Sequence, residues 1–279
     1  MMLAVPKNSL EQRQVMAIIN LTPDSFYSLS RHVEYGDVCC GVARAIDEGA
    51  TILDLGGYST RPGALEVSLE EEWSRVRMGL EAVRSADGKV MVSIDTFRSE
   101  IVSRAYDEFG EFIVNDISAG ELDPMMIPTV AELGLKYVAM HMRGTPQTMQ
   151  QLTDYPDGVV RGVCDYFVGR TAELLDAGVP KENIILDPGF GFAKSVEQNY
   201  ELLHALDKLH ALGYPLLIGI SRKSMIYRPL GIQPDEALPG SLALAWESLH
   251  KGASILRVHD VAPTRQIVDL YNLYQNSIR

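Results

Sequence analysis

The sequence has 279 residues, of which 46% are hydrophobic and 22% charged, the proportions of a globular domain. Its formal net charge of −12 argues against nucleic acid and membrane surfaces as partners, because proteins bind both through basic patches. The three cysteines form no Cys-x-x-Cys pair and no apolar run approaches the length of a membrane span, so we expect no disulfide framework, no zinc site and a cytoplasmic location.

Short apolar runs alternate with helical patterns along the chain. The runs predict eight strands covered on both faces, at 15–20, 51–55, 90–94, 112–115, 136–140, 183–187, 215–219 and 254–258. A 3.6-residue apolar period predicts helices at 37–48, 69–85, 99–108, 124–133, 158–177, 196–212, 239–251 and 263–274. Six of these helices end at a glycine, as expected where a left-handed residue closes the helix.

Eight alternating units predict an α/β fold with a parallel sheet. Their number and length favour a single (β/α)8 TIM barrel, which typically takes about 250 residues. An open, doubly wound sheet is the structural alternative. We therefore expect one domain over residues 1–279, with residues 1–14 as an N-terminal extension, and an active site at the C-terminal rim of the strands.

Each predicted strand ends in a side chain that can bind a ligand or ionise. These residues are Asn20, Asp54, Asp95, Asn115, His141, Asp187, Ser221-Arg222-Lys223, and the pair Arg257 and His259. Asp and Asn also cap helices, but capping alone does not explain eight such residues at one rim. The pattern indicates a polar pocket at the mouth of the barrel.

The residue types at this rim suggest a class of ligand. Asp95, Asn115 and Asp187 offer the acceptors and donors that match a flat heterocycle with an amino-amide edge, such as a pterin or guanine. Lys223 would meet the ring carbonyl or a ring nitrogen. The cations Arg61, Arg257 and His259 suit a phosphate group, which in so acidic a chain needs a local basic cluster.

At these residues the sequence resembles the dihydropteroate synthases of the pterin-binding enzyme superfamily. The resemblance runs from about residue 16 to 269. Its blocks are Asn20-Leu21-Thr22-Pro23-Asp24-Ser25-Phe26, Asp54-Leu55-Gly56-Gly57-Tyr58-Ser59-Thr60-Arg61-Pro62-Gly63, Ser93-Ile94-Asp95-Thr96, Asn115-Asp116-Ile117, Met140-His141-Met142-Arg143-Gly144, Leu186-Asp187-Pro188-Gly189, Phe192-Ala193-Lys194, Ser221-Arg222-Lys223-Ser224 and Arg257-Val258-His259-Asp260.

The resemblance implies an activity and a role for each matching residue. The expected reaction joins 6-hydroxymethyl-7,8-dihydropterin pyrophosphate to p-aminobenzoate in folate synthesis, with Asp95, Lys223, Arg257 and His259 as catalytic residues. The expected pterin contacts are Asp95, Asn115, Met140, Asp187, Lys223 and Arg257. The expected pyrophosphate contacts are Asn20, Arg61, Arg257 and His259, with Asn20 also reaching Mg²⁺. The expected p-aminobenzoate pocket comprises Thr60, Pro62, Phe192, Lys223 and Ser224.

Further expectations also follow from the resemblance. It implies small-molecule substrates, inhibition by sulfonamides and a homodimer formed through helices late in the barrel. One segment departs from the family pattern, because Tyr27-Ser28-Leu29-Ser30-Arg31 stands where relatives often carry an Asp-Gly-Gly-like turn. Two alternatives therefore stay open: a pterin-binding methyltransferase of the same superfamily and a non-catalytic pterin-binding paralogue.

Overall fold

Eight parallel strands close into a barrel in the order of the sequence. The computed structural model describes residues 13–22, 34–59, 66–86, 90–145 and 147–277. The strands are β1 (Gln14–Asn20), β2 (Ile52–Gly56), β3 (Met91–Asp95), β4 (Ile113–Asp116), β5 (Lys136–Met140), β6 (Ile184–Asp187), β7 (Leu216–Ile218) and β8 (Ala253–Val258). Pairing of β1 with β8, beginning at Gln14 and Ile255, confirms the TIM barrel and excludes the open sheet.

Ten α-helices accompany the strands within the described ranges. They are α1 (Tyr35–Asp47), α2 (Leu69–Ala86), α3 (Ser99–Phe109), α4 (Met126–Leu133), α5 (Val159–Asp176), α6 (Val196–His204), α7 (Leu206–His210), α8 (Ser224–Leu230), α9 (Leu238–His250) and α10 (Val261–Asn276). The helix expected at 196–212 is therefore two helices that meet at Ala205, whose backbone leaves the helical region. Helix α8 was not expected, since it is short and contains Pro229, which weakens a helical pattern.

The six glycines expected to end helices all adopt positive φ, between 65° and 101°. They are Gly49, Gly110, Gly134, Gly178, Gly213 and Gly252. A residue with a Cβ is strained in this conformation, so the sequence pattern located these turns for a physical reason.

All three cysteines are free, as expected.

The barrel interior is filled by a layer of apolar side chains. One residue from each strand contributes to this layer: Met16, Ile52, Met91, Ile113, Val138, Ile185, Leu217 and Ile255, all at most 5% exposed. A larger apolar layer, which includes the fully buried Phe167, lies between the strands and the surrounding helices. The interior layer plugs the barrel, so only its rim is left to hold a ligand.

The barrel has a weak seam at β7. This strand has three residues, and its register with β6 is the single pair Leu186 and Leu216. Its pairing with β8 shifts register between Leu216 and Leu217, a bulge-like irregularity that disrupts the ladder locally. Fewer backbone hydrogen bonds therefore join the barrel at β6 and β7 than at β1 and β2.

Strand β1 includes Gln14, one residue earlier than expected, and residues 1–12 lie outside the described ranges. The division into one domain with an N-terminal extension stays a prediction. Within the described part of the chain, none of the helices has both the length and the apolar character that crossing a bilayer requires.

Removing a side chain from the interior layer should destabilise the fold strongly. Leu217 is fully buried, whereas Leu175 on α5 is 42% exposed. We expect Leu217→Ala to lower the free energy of unfolding by about 2–5 kcal/mol, because the cavity cannot collapse fully. Leu175→Ala should change it by about 0.5 kcal/mol or less. Urea unfolding of both variants measures the difference, and equal losses would contradict this account of the barrel interior.

Candidate active site

The carboxyl ends of the strands surround a cavity of about 510 Å³. Seven of the predicted site residues line it: Asn20, Asp95, Phe192, Lys223, Ser224, Arg257 and His259. Residues not predicted for the site also line it, among them Thr22, Tyr58, Met149, Gln150 and Tyr227. The fold thus gathers side chains from both ends of the chain into one pocket, although the role of each residue stays a prediction.

A buried ion cluster forms one wall of this region. Arg257 of β8 donates from Nε to Asp54 Oδ2 and from Nη2 to Asp95 Oδ2, both at 2.7 Å. Asn115 of β4 donates from Nδ2 to the same Asp54 oxygen at 3.1 Å. The Asp54 side chain is fully buried, and that of Asp95 is 16% exposed. The guanidinium therefore ties β8 to β2 and β3 inside the barrel mouth.

The charges of this cluster depend on one another. Burial would lower the pKa of Arg257, but attraction to Asp54 and Asp95 raises it above its ordinary value, so the guanidinium stays charged. Burial raises the pKa of Asp95 to about 7, against the opposing attraction of Arg257. Of the two carboxylates, Asp95 is the partly exposed one, so its charge is the one that a ligand in the cavity can alter.

Lys223, which follows β7, and Asp187, at the end of β6, form the neighbouring part of the site. Burial lowers the pKa of Lys223 to about 8, and attraction to Asp187 limits the fall. Burial raises the pKa of Asp187, which attraction to Lys223 counters. Asp187 Oδ1 accepts from the backbone N–H of Gly189 at 2.8 Å. The Lys223 ammonium lies 4.9 Å from the ring centre of Phe192, so it borders an aromatic wall.

The loops after β7 and β8 are tied together. Ser221 Oγ lies 3.2 Å from His259 Nδ1 and accepts from the His259 backbone N–H at 3.2 Å. Arg222 donates from Nε to Asp260 Oδ2 at 2.9 Å. Its φ of 55° is unusual for a non-glycine residue, and such backbone strain persists only where neighbouring contacts hold it. This pairing fixes Lys223 relative to His259.

Three predicted pterin contacts are buried rather than exposed to the cavity. Asn115, Met140 and Asp187 are 4–6% exposed and are not among the described residues that line it. They still adjoin the site, because Asn115 bonds to Asp54, and Met140 packs in an apolar cluster with Phe192. The predicted residues Thr60, Arg61 and Pro62, as well as Asp24 and the segment 27–31, lie outside the described residues.

Sequence reasoning gave Asp54 no role and overlooked a buried carboxylate on α2. Glu72 is fully buried and accepts from Thr96 Oγ1 at 2.6 Å and from Arg98 Nη1 at 2.8 Å. Arg98 lies 5.3 Å from the ring centre of Tyr58, which lines the cavity. The helical period contained the signal, since Glu72 shares a face with Val76 and would have been expected to point inward.

Asn20 is the candidate protein ligand for Mg²⁺. It is a neutral oxygen donor on the cavity wall. Within the described ranges, no group of three or more His, Cys, Asp or Glu side chains could hold a metal ion. Mg²⁺ usually binds through one or two protein oxygens, substrate phosphates and water. The donors present fit an ion that a phosphorylated substrate brings with it, rather than a site built by the protein alone.

A closed (β/α)8 barrel that gathers titratable side chains in one cavity at its C-terminal rim has the architecture of a TIM-barrel enzyme. Comparisons with known proteins define the class further. The family described as pterin binding enzyme matches residues 16–259. A dihydropteroate synthase of Escherichia coli is 44% identical over 255 residues, which cover 91% of this chain and 89% of that protein.

Solved structures agree with these matches. The Yersinia pestis dihydropteroate synthase in complex with a sulfonamide drug has a TM-score of 0.89 and 36% identity, with 96% of each chain covered. The Xanthomonas albilineans dihydropteroate synthase with 4-aminobenzoic acid has a TM-score of 0.85 and 37% identity, with 95% of this chain and 94% of that chain covered. The chain belongs to the pterin-binding enzymes and, within them, to the dihydropteroate synthases, transferases of folate synthesis.

The protonation of Asp95 can be measured directly. We expect its carboxyl carbon in the ligand-free protein to titrate with a pKa of about 7, because burial disfavours the charged form. In Arg257→Met the pKa should rise further, since the attraction that favours the carboxylate is lost. Carbon-13 NMR of aspartate-labelled protein reports the titration, and Asp95→Asn assigns the signal. A midpoint near the ordinary value of 3.8 would refute this description of the cluster.

Proposed function

We propose that the rim cavity condenses 6-hydroxymethyl-7,8-dihydropterin pyrophosphate with p-aminobenzoate, giving 7,8-dihydropteroate and pyrophosphate. The observation that carries this proposal is the arrangement of Asp95, Lys223, Arg257 and His259 around one cavity. Acceptors for a heterocycle and cations for a leaving pyrophosphate are therefore adjacent. Family membership supports the choice of substrates, because the Xanthomonas relative was crystallised with 4-aminobenzoic acid.

The pterin would be held between the two charged sides of the site. Its amino group and ring N–H groups are donors, and Asp95 and Asp187 supply carboxylate acceptors. Asn115 offers an amide oxygen, since its Nδ2 already donates to Asp54. Lys223 would donate to the ring carbonyl or a ring nitrogen. Met140 packs in the apolar cluster behind Phe192 and would contact the face of the pterin ring. Protein groups would therefore contact both the edge and the face of this flat ring.

The pyrophosphate would lie at the outer part of the cavity. Arg257 and His259 are consecutive inward positions on β8 and its loop, and Asn20 lies on the neighbouring β1. We include Arg61 in this set, because it stands at the matching position of the family motif. When bound, Mg²⁺ would be held by Asn20 and would neutralise part of the pyrophosphate charge.

The protein groups then act on the two bonds that change. The bond between the methylene carbon and the pyrophosphate oxygen breaks, and the leaving group takes the electron pair. The positive charge that develops is shared with the pterin ring, and the Asp95 carboxylate stabilises it. The aniline nitrogen of p-aminobenzoate attacks the methylene carbon and loses its proton after the new bond has formed. This sequence needs no strong general base.

The same cavity bears on the alternatives. A methyltransferase that uses methyltetrahydrofolate shares the pterin contacts but has no need for cations arranged around a pyrophosphate. Arg257, His259 and Lys223 on one cavity wall therefore favour the synthase. A non-catalytic paralogue would have no reason to keep the buried cluster of Arg257, Asp54 and Asp95, because paired buried charges contribute little to stability by themselves.

A homodimer and a cytoplasmic location also belong to this proposal. Helix α10 exposes large apolar side chains, with Leu270 at 55%, Leu273 at 68% and Tyr274 at 46%. Trp246 of α9 contacts the rings of Tyr271 and Tyr274 at centroid distances of 5.6 and 5.9 Å. Adjacent exposed apolar groups of this kind typically mark a protein interface, and a second copy of the chain would cover them.

Turnover tests the function and two residue roles. We expect the purified protein with Mg²⁺ and the pterin pyrophosphate to release pyrophosphate only when p-aminobenzoate is present, with dihydropteroate formed. Lys223→Ala and Asp95→Asn should each lower kcat/KM by about 10²–10³-fold, because each removes a charge placed for the reaction. Lys208→Ala on α7, an exposed lysine, serves as the control.

Pterin binding without p-aminobenzoate-dependent release would reject the synthase reaction. Tight binding of methyltetrahydrofolate in that case would favour the methyltransferase. Rates like those of the unmodified protein in either site variant would instead reject the role of that residue alone.

The oligomer has its own test. We expect sedimentation velocity to give a dimer for the unmodified chain and a monomer for Leu273→Glu, because a buried carboxylate without a partner disfavours an apolar interface. Leu175→Glu is the matched control on α5 and should stay dimeric. A monomeric unmodified chain, or an unaffected Leu273→Glu variant, would reject this surface as the interface.

A further inference from the structure

The loop between β6 and α6 approaches the end of β5 closely. Gly189 and Gly191 have φ of 68° and 82°, and Ala193 has φ of 50°. A Cβ at Gly189 would lie 2.0 Å from the carbonyl oxygen of His141, which is far inside van der Waals contact. Glycine adopts positive φ without strain, but Ala193 does not, so other contacts must hold the loop in this conformation at Ala193.

Side chains bind four successive carbonyl oxygens of this loop. Lys194 Nζ donates to Gly189 at 3.0 Å and to Phe192 at 2.9 Å. Lys223 Nζ donates to Phe190. Gln150 Nε2 donates to Gly191 at 3.3 Å. Of these donors, Lys223 and Gln150 line the cavity, whereas Lys194 lies behind the loop and is 4% exposed.

Lys194 has a complete set of acceptors. Its ammonium has three N–H donors, and the third acceptor is His141 Nδ1 at 3.0 Å. His141 is buried, and burial followed by repulsion from Lys194 lowers its pKa well below its ordinary value, so its ring is neutral and Nδ1 can accept. Burial lowers the pKa of Lys194 to about 7, while attraction to Asp187 opposes the fall. A lysine so placed fixes geometry rather than contacting a ligand.

The geometry points to Lys194 as a positioning residue for the aromatic amine substrate. By binding the carbonyls of Gly189 and Phe192, it holds the Phe192 ring on the cavity wall beside Lys223. The inference rests on the proposed function, since the amine is p-aminobenzoate. It predicts a larger defect for p-aminobenzoate than for the pterin. Of the expected pterin contacts, Asp187 and Lys223 bond to this loop, whereas Arg257, Asp54 and Asp95 have no hydrogen bond to it in the described residues.

The test is Lys194→Met, which keeps the apolar length of the side chain and removes all three donors. We expect KM for p-aminobenzoate to rise about 10-fold or more, because two carbonyls of the loop that carries the Phe192 ring lose their charged donor. The Kd of pterin pyrophosphate, measured by calorimetry without p-aminobenzoate, should rise by a smaller factor, because Arg257 and Asp95 keep their bonds to each other. Lys136→Met, a half-buried lysine at the start of β5, is the control and should leave both constants unchanged.

A second variant covers the case in which Lys194→Met does not fold. In Lys194→Met/His141→Leu both partners become apolar, which removes the unsatisfied histidine acceptor but still releases the two carbonyls. The same selective rise in KM is expected.

Two outcomes would overturn the inference. They are an unchanged KM, with or without a fall in melting temperature, and an equal loss of pterin affinity. Failure of the unmodified protein to turn over p-aminobenzoate would instead count against the proposed function, and the two failures are distinct.

Discussion

The site depends on one largely buried guanidinium, that of Arg257. A charge withdrawn from water needs opposite charges beside it, and Arg257 has two, Asp54 and Asp95, each at 2.7 Å. These residues are far apart in sequence and meet only because β8 closes on β1 and lies near β2. Asn115 extends the contact to β4 through Asp54. The cluster therefore requires a closed barrel, and a chain with an open sheet could not form it.

Two sides of the rim are held in place by different interactions. Carboxylates and a guanidinium hold the side formed by β2, β3 and β8. Lysine ammonium groups bonded to backbone carbonyls hold the side formed by β6 and β7. Under the proposed function, the first side would contact the heterocycle and the departing anion. On the second side, Asp187 and Lys223 would also contact the heterocycle, and Phe192 would contact the aromatic acid. In a chain with net charge −12, Arg222, Lys223 and Arg257 thus line a single cavity, where the proposed anionic substrates would bind.

Local periodicity made much of the fold predictable. Hydrogen-bond and ion-pair partners that are distant in sequence could not be predicted in this way. Apolar runs located all eight strands within a residue or two, and glycines marked six helix ends. Residue type at the strand ends located the rim, and the resemblance to a family suggested the substrates. Local pattern could not predict the carboxylates that Arg257 binds, the partners of Glu72 or the acceptors of Lys194, because each of these contacts joins separate units of the barrel. The break between α6 and α7 at Ala205 could not be predicted either, since the apolar period continues through both helices.

The short strand β7 has a consequence for how the protein can vary. Where backbone pairing between β6 and β7 is reduced to Leu186 and Leu216, the bond from Lys223 to the Phe190 carbonyl bridges the same two units. Local opening, which hydrogen exchange would detect, is easiest where few backbone bonds must break, and here that place adjoins Phe192 and Lys223. Under the proposed function, sequence changes between β6 and β7 would therefore alter recognition of the amine substrate and of its competitive analogues more than the contacts that Arg257 makes with Asp54 and Asp95.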